Sequence, residues 1–399
     1  MKVAILGMGT VGSGVAKLLM DNQEKIARHA GEPIELSYIF SRSIHNRHNI
    51  DLTGIKISQD IDEILASDVG IIIETMGGVD LTYEIHKKAL QAGKHVVSAN
   101  KDMLALHVDE LSELANAKER QLNYEASCAG GIPIVDGIQY GLNANNILGI
   151  MGILNGTTNY ILSKMSQEGW TYQEALDKAT ELGYAEADPT NDVEGLDARR
   201  KICLLSRLAY EQKIDVEAIS VRGISQVDLK DIQAGQANGY TLKLVGQSHL
   251  LEDGRLSISV EPVFLPANHQ MAYVGEAYNA VYVIGDAVGE TMFYGPGAGS
   301  LETASAIMAD VISATRYGYI GNTTPDTEAR VHSGRLVADY YLRFNESADN
   351  VSQVFDRLGV SYTYLDQDQS IVVAKQLEPS DFKVLNQELD LLADYRMMN

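Results

Sequence analysis

Between Gly183 and Lys201 five carboxylates, Glu186, Asp188, Asp192, Glu194 and Asp197, run ahead of three cations, Arg199, Arg200 and Lys201. Pro189 and Gly195 break the acidic part, so its first members are expected on an irregular loop. From about Leu196 the pattern turns helical. Ala198, Ile202, Leu205 and Ala209 recur on one helix face, and Asp197, Lys201, Leu204 and Leu208 form the face beside it. Asp197 and Lys201 thus stand one turn apart at the edge of an apolar stripe, where partial burial is expected. The layout suits a small polar substrate that carries an ammonium and a reacting oxygen. The loop acids would take the ammonium, and the Asp–Lys pair would move the proton. The alternative is an i,i+4 ion pair on a solvated helix, worth only about 0.2–0.5 kcal/mol.

Such a site needs elements to position it and a partner for its chemistry. Lys2–Leu6 reads as a buried parallel strand and runs straight into Gly7, Gly9 and Gly12, then into a helical pattern at Val11, Val15, Leu18 and Leu19. Gly7 permits a tight turn, Gly9 lets a pyrophosphate approach the backbone, and Gly12 allows close helix–strand packing. The helix start, from Thr10 and Val11, offers free N–H groups to the phosphates. The second strand, Leu36–Phe40, ends in Ser41, Arg42 and Ser43, with no acid to bind the ribose 2′-OH of NAD. Arg42 with flanking hydroxyls suits the 2′-phosphate of NADP; otherwise it is a solvated loop residue. Strands predicted at Val69–Glu74 and His95–Ala99, with a helix over Thr82–Ala92 between them, are followed by Thr75–Gly78 and by Asn100 and Lys101. Ligands in open α/β sheets bind beyond the carboxyl ends of strands, so Thr75 and Lys101 are expected near the nicotinamide. Lys101 there is a catalytic or substrate-orienting cation, or else a surface lysine.

Composition narrows the class. A chain of 399 residues with 45% hydrophobic and 22% charged residues has the balance of a globular protein of two or three domains. Its formal net charge of −22 argues against nucleic acid and anionic membranes as partners. It also means that a phosphate-rich cofactor must be held locally against the global field. Cys128 and Cys203 make no disulfide framework, so a cytoplasmic location is expected. No apolar run reaches the ~18–20 residues of a membrane-spanning helix. The apolar run near Met1 is too short for a signal peptide.

Beyond a last strand predicted at Gln121–Glu125, the segment Ala129–Pro133 carries the chain into a second domain. Ile147–Leu154 is strand-like and ends in Asn155-Gly-Thr-Thr-Asn-Tyr160. Thr157 or Thr158 would cap the next helix, whose free N–H groups make an oxyanion or carboxylate site; the motif is also simply a good helix start. Together Gly7–Gly12, Ser98–Lys101, Gly156–Tyr160 and Gly183–Lys201 resemble homoserine dehydrogenase over about residues 1–320. That resemblance implies reversible NAD(P)H-dependent reduction of L-aspartate 4-semialdehyde to L-homoserine, a step in threonine and methionine biosynthesis. It implies Thr157, Tyr184, Glu186 and Asp192 as contacts to the amino acid, with Glu186 and Asp192 on its ammonium. Asp197 and Lys201 would flank the reacting oxygen, with Lys101 between nicotinamide and substrate. Either lysine could deliver the proton, and Lys201 is the preferred acid. Gly7, Gly9, Thr10, Val11, Gly12, Arg42, Thr75, Ser98 and Gly299 are the expected cofactor contacts. A monovalent cation such as Na+ is implied on the backbone carbonyls of Glu125, Cys128, Gly130 and Ile132, which leave no side-chain signature. Glu302 stands where the family commonly has proline.

The expected architecture is α/β: a Rossmann-type domain over residues 1–135, rejoined at about 295–318, and an open-sheet catalytic and dimerisation domain over 136–317. The helix of the return is predicted over Thr303–Ile312. After a linker over Tyr317–Pro325, residues 328–399 resemble an ACT domain. The predicted order is strand, helix, two strands and a helix over Phe382–Leu392, with the last strand short or missing. An amino-acid effector there is one reading, and a structural or dimerising extension is the other. The family suggests a homodimer or homotetramer, with Ala280–Ile284 at an interface. A different Rossmann-type dehydrogenase, or a non-catalytic NADP-binding regulator, is the alternative. The first would lack the Gly156–Tyr160 motif, and the second has no need of Lys101, Glu186, Asp197 and Lys201.

Overall fold

The computed structural model describes residues 1–42 and 49–398; Ser43 lies outside them. The chain forms two compact units. The first comprises Met1–Ile150, Arg200–Val216 and Val283–Ala329, and the second Met151–Arg199, Glu217–Tyr282 and Arg330–Asn399.

The first unit is built on six parallel strands in the order Lys56–Ser58, Glu35–Phe40, Lys2–Leu6, Ile71–Glu74, His95–Ser98 and Leu122–Asn123. Lys2–Leu6 is almost wholly apolar because a central parallel strand is covered on both faces. The chain winds outward from it in both directions, so the loop at Gly7 sits where the strand order reverses. Helices Thr10–Asp21 and Ser300–Tyr317 pack on one face around Val3, Ile5, Val15, Leu19, Ile307 and Val311. Ser300–Tyr317 is longer than expected at both ends, and its unit is rejoined from Val283 rather than from about 295. The expected linker is tied down at its middle. Asn322 accepts from the Leu122 amide at 2.8 Å and donates to the Arg120 carbonyl at 2.8 Å, while Gln121 donates to the Gly321 carbonyl. These side chains serve the outer edge of a strand only two residues long.

The second sheet runs Gly289–Pro296, Tyr278–Gly285, Ile147–Ile153, Tyr240–Leu250, Leu256–Pro266, Leu391–Met397, Ala338–Phe344, Ile371–Leu377 and Tyr362–Asp366. Residues Ala280–Val283, expected at an interface, are already buried within the chain. The last seventy residues form the order β-α-β-β-α-β. Two expectations fail there. The helix is Pro379–Glu388, and the strand thought short or absent spans seven residues, Leu391–Met397. It lies between Leu256–Pro266, to which it is parallel, and Ala338–Phe344, to which it is antiparallel. Leu391 and Leu392 look like helix continuation. The alternation that buries Tyr395 and Met397 while leaving Asp394 and Arg396 half-buried is strand periodicity.

Candidate active site

The nucleotide end of the first unit is built as its glycines require. Gly7 has φ +96°, a left-handed conformation that side chains avoid, and an added Cβ would meet Met76 at 3.0 Å. A Cβ on Gly12 would collide with the Gly7 carbonyl, so the helix Thr10–Asp21 can approach the strand only without one. At Gly9 a Cβ would meet nothing within 4 Å: the backbone there is open to a ligand. Thr75 donates its hydroxyl to the carbonyls of Leu6 and Gly7, at 3.1 and 2.9 Å, pinning the turn from the adjacent strand end. Thr10 and Arg42 are exposed, and Val11 is half-buried. Gly299 has φ +139°, and the Glu302 carboxylate curls over it, in the space a Cβ would need.

Beneath this end lies a buried polar group that motif reading missed. Glu74 closes the strand Ile71–Glu74 with no exposed surface. One carboxylate oxygen accepts the amides of Met76 and Gly77 at 2.7 and 3.0 Å. The other accepts the Ser98 hydroxyl at 2.9 Å and lies 3.4 Å from Nε2 of His86. Burial pushes the Glu74 carboxyl up, but His86 and the two amides outweigh it and hold it below its ordinary value. Ser98 is therefore wholly buried with its hydroxyl committed to Glu74. Asn100 caps the helix Lys101–Ala117 by accepting from the Met103 amide, and its Nδ2 donates to the Gly78 carbonyl at 2.7 Å. Lys101, half-buried, is the first residue of that helix. The one legible sign of this network was a carboxylate closing an all-isoleucine strand.

In the same unit the chain turns sharply over Glu125–Ile132. Glu125–Ser127 is a 3₁₀ turn, and Ala129 and Gly130 both have positive φ. A Cβ on Gly130 would press into the backbone of Gly297, so glycine is required there. The Glu125 carboxylate accepts the amides of Val135 and Asp136, and the Glu125 amide donates to Asp310. Burial pushes the Glu125 carboxyl up to about 7 and raises Asp310 and Asp136 as well. No cluster of His, Cys, Asp and Glu side chains suited to a metal occurs among the described residues. A cation held at this turn would rest on backbone carbonyl oxygens, which are hard donors.

The helix Leu196–Tyr210 carries Asp197 in the second unit and Lys201 in the first, without a break. Asp197 is 6% exposed and Lys201 9%, so the solvated ion pair is not what forms. The three cations part company: Arg199 pairs with Glu217 at 2.7 Å and Arg200 with Asp102 at 3.3 Å, while Lys201 stays buried beside Cys128, whose thiol lies 3.9 Å from the Lys201 carbonyl.

The amino-acid half, in the second unit, turns on a residue missed in the sequence. Asn155, rather than Thr157 or Thr158, caps the helix Gly156–Glu168: its Oδ1 accepts the Thr158 amide at 2.9 Å. Its Nδ2 donates to Asp192 at 2.7 Å and to Asp197 at 2.9 Å. One side-chain amide thus holds two carboxylates beside a helix N-terminus. Thr157 donates to the Tyr184 carbonyl at 2.6 Å, tying the acidic loop to that helix, and the Tyr160 and Tyr184 rings lie 5.0 Å apart. Glu186 is exposed. Asp188 is spent locally, accepting the Thr190 amide at 3.2 Å and its hydroxyl at 2.6 Å. Asparagine is a common N-cap, so the capping role was open to sequence reading; the bridge to two acids far along the chain was not.

Known proteins are similar to this chain over nearly its whole length. The family model described as homoserine dehydrogenase matches residues 133–312, and that described as homoserine dehydrogenase, NAD binding domain, matches residues 7–125. A homoserine dehydrogenase of Bacillus subtilis (strain 168) is 39% identical over 98% of this chain and 94% of its own. The crystal structure of a homoserine dehydrogenase from Thiobacillus denitrificans has a TM-score of 0.91 at 32% identity, covering 100% of this chain and 98% of that one. A hyperthermophilic archaeal homoserine dehydrogenase in complex with NADPH has a TM-score of 0.66 at 27% identity, covering 79% of this chain and 97% of the other. The chain belongs to the homoserine dehydrogenase family, oxidoreductases that act on a CH–OH group with a nicotinamide cofactor.

Proposed function

We propose that the chain reduces L-aspartate 4-semialdehyde reversibly to L-homoserine with NADPH in preference to NADH. The observation that carries this reading is the Asn155 bridge, which presents Asp192 and Asp197 side by side at the start of Gly156–Glu168. Asp192 and Glu186 take the substrate ammonium, and Thr157 and Tyr184 shape the loop that receives it. The reduced nicotinamide, when bound, supplies the hydride to the aldehyde carbon. As the carbonyl oxygen gains charge, the Lys201 ammonium stabilises it and supplies the proton, with Asp197 orienting the lysine. Lys101, at the start of its helix, positions substrate against the ring.

Gly7, Gly9, Thr10, Val11, Gly12, Thr75, Ser98 and Gly299 frame the cofactor. Ser98 acts through Glu74, and Arg42 answers a 2′-phosphate. The turn at Glu125, Cys128, Gly130 and Ile132 would hold a monovalent cation on its carbonyls and stiffen the loop. The reading also includes an ACT-like extension over residues 328–399, which serves as a structural or effector domain, a homodimer or homotetramer, and residence in the cytoplasm.

The test is consumption of NADPH, then of NADH, with L-aspartate 4-semialdehyde and Na+ supplied. Turnover with a clear NADPH preference, lost in Arg42→Ala, is expected. No turnover in folded protein with either cofactor would overturn the reading, and unchanged selectivity in Arg42→Ala would overturn the role of that residue.

A further inference from the structure

Along one edge the strand Leu256–Pro266 is paired throughout with Tyr240–Leu250. Its other edge is shared by three short segments: Val331 at Leu256, Ser220–Val221 at Ser259–Val260, and Arg396–Met397 at Val263–Phe264. The segments do not meet end to end. A cavity of about 280 Å³ opens among them, within the second unit.

Three arginines line this cavity in a chain of net charge −22: Arg222, Arg335 and Arg396. Two are neutralised. The Asp394 carboxylate forms ion pairs with Arg222 at 3.0 Å and with Arg335 at 2.7 Å, and Glu261 lies 3.6 Å from Arg222. Arg335 is also held over the Phe382 ring at 3.7 Å. Arg396, two residues further along the same strand and so on the same face, is half-buried, and its guanidinium makes no ion pair or hydrogen bond among the described residues. At the other end of the lining, where the chain pairs with Leu256 rather than with Val263, His332 has both ring nitrogens closed off from solvent with no hydrogen-bond partner among the described residues. The backbone of His332 is fixed, its amide donating to the Leu256 carbonyl at 2.7 Å. Glu261, the one carboxylate in the lining, is occupied by Gln247 at 3.2 Å and Ser259 at 3.3 Å.

A half-buried guanidinium and a buried imidazole left unsatisfied are costly unless something pairs with them. A guanidinium fork matches a carboxylate or a phosphate, and an imidazole at the other end of the lining can bond to a further polar group of a ligand that extends along the cavity. Pockets for drug-sized ligands run about 300–1,000 Å³, so this one suits a small metabolite. We propose that the cavity bounded by Arg396 and His332 is a second ligand site, which takes a small anion bearing a carboxylate or phosphate group and shares no lining residue with the acidic loop or the glycine turn. The site has a route to the chemistry. Arg222 leads into Gly223 and Ile224, whose backbone abuts Glu194 and bonds to the Val193 carbonyl at 2.8 Å, one residue from Asp192.

Isothermal titration of the full chain, saturated with NADP to occupy the cofactor phosphates' own site, tests this with inorganic phosphate and with succinate in separate arms. Saturable binding in at least one arm is expected, and the arm that binds names the anion class. Arg396→Met keeps the buried stem and should weaken that binding at least tenfold, with His332→Gln weakening it several-fold and both variants melting near the parent temperature. No saturable binding in either arm would overturn the proposal, as would binding that both variants leave unchanged. If Arg396→Met does not fold, His332→Gln alone decides. A change in molar mass by light scattering in Arg396→Met would instead mean that a second copy of the chain supplies the partner, and would also overturn it. None of these outcomes depends on the dehydrogenase reaction.

Discussion

Asn155 performs two jobs with one side chain, and substitution can separate them. Its Oδ1 caps Gly156–Glu168, while its Nδ2 donates to Asp192 and Asp197. Asn155→Ala removes both and should cost about 0.5–2 kcal/mol of stability for the cap alone. Asn155→Ser can still cap, so its melting temperature should stay near that of the parent while kcat/KM falls. A hydrogen bond to a charged group contributes about 1.5–3 kcal/mol, which sets the expected loss at roughly ten- to a hundredfold. If Asn155→Ser lost stability but kept activity, the bridge would be structural only. Lys201 calls for a different readout. A positioned acid contributes about 10²–10⁴-fold to rate, so Lys201→Met should lower kcat by that order with KM little changed. Near-parental kcat with a raised KM would make Lys201 a binding group instead.

Among the elements, the two loops at the carboxyl ends of Ile71–Glu74 and His95–Ser98 are held as a pair by Glu74. Its carboxyl is depressed in the fold, so it stabilises the fold above its unfolded value and loses that contribution as pH falls through the folded one. The melting temperature of the parent should therefore drop more steeply than that of Glu74→Gln below about pH 4.5. Parallel acid profiles would remove Glu74 from the account. A second fastening joins the helix Leu229–Ala237 to the C-terminal strands. Buried Asp231 accepts from Arg343 at 2.6 and 3.0 Å and from the Tyr341 hydroxyl at 2.7 Å. Removing one member of a buried pair costs about 3–5 kcal/mol, because the charge left behind stays buried. Arg343→Met should show a loss of that order in denaturant unfolding. A loss under about 1 kcal/mol would show that Tyr341 and water satisfy Asp231 without the arginine.

The whole molecule carries a charge of −22 and yet binds an anionic cofactor. The field opposes encounter, and the local amides of Thr10–Asp21 must win at short range. At about 0.01 M salt the screening length is roughly 30 Å, and it shrinks to about 10 Å at 0.1 M. The association rate constant of NADPH should therefore rise between those salt concentrations in stopped-flow fluorescence. A steady fall would mean that local cations such as Arg42, rather than the net charge, govern approach.

What was legible in the sequence was local. The glycine turn at Gly7–Gly12 depends on backbone freedom and on spacing within a few residues. The faces of Leu196–Tyr210 follow from helix periodicity, and its burial of Asp197 and Lys201 follows from their place beside an apolar stripe. The strands at Lys2–Leu6, Leu36–Phe40, Val69–Glu74, His95–Ala99 and Gln121–Glu125 are likewise periodicity and punctuation, whereas the short strand Lys56–Ser58 and the helix Lys101–Ala117 were not predicted. Only the tertiary structure could decide what depends on contacts between distant segments. Asn155 meets Asp192 and Asp197 across 37 and 42 residues, and Glu74 meets Ser98 across 24. Tyr341 reaches Asp231 across 110. Leu391–Met397 becomes a strand because Leu256–Pro266 and Ala338–Phe344 leave a slot for it, overriding two leucines that continue a helical pattern. A carboxylate in isolation carries no sign of which amide will satisfy it; that is set when the fold removes both from water.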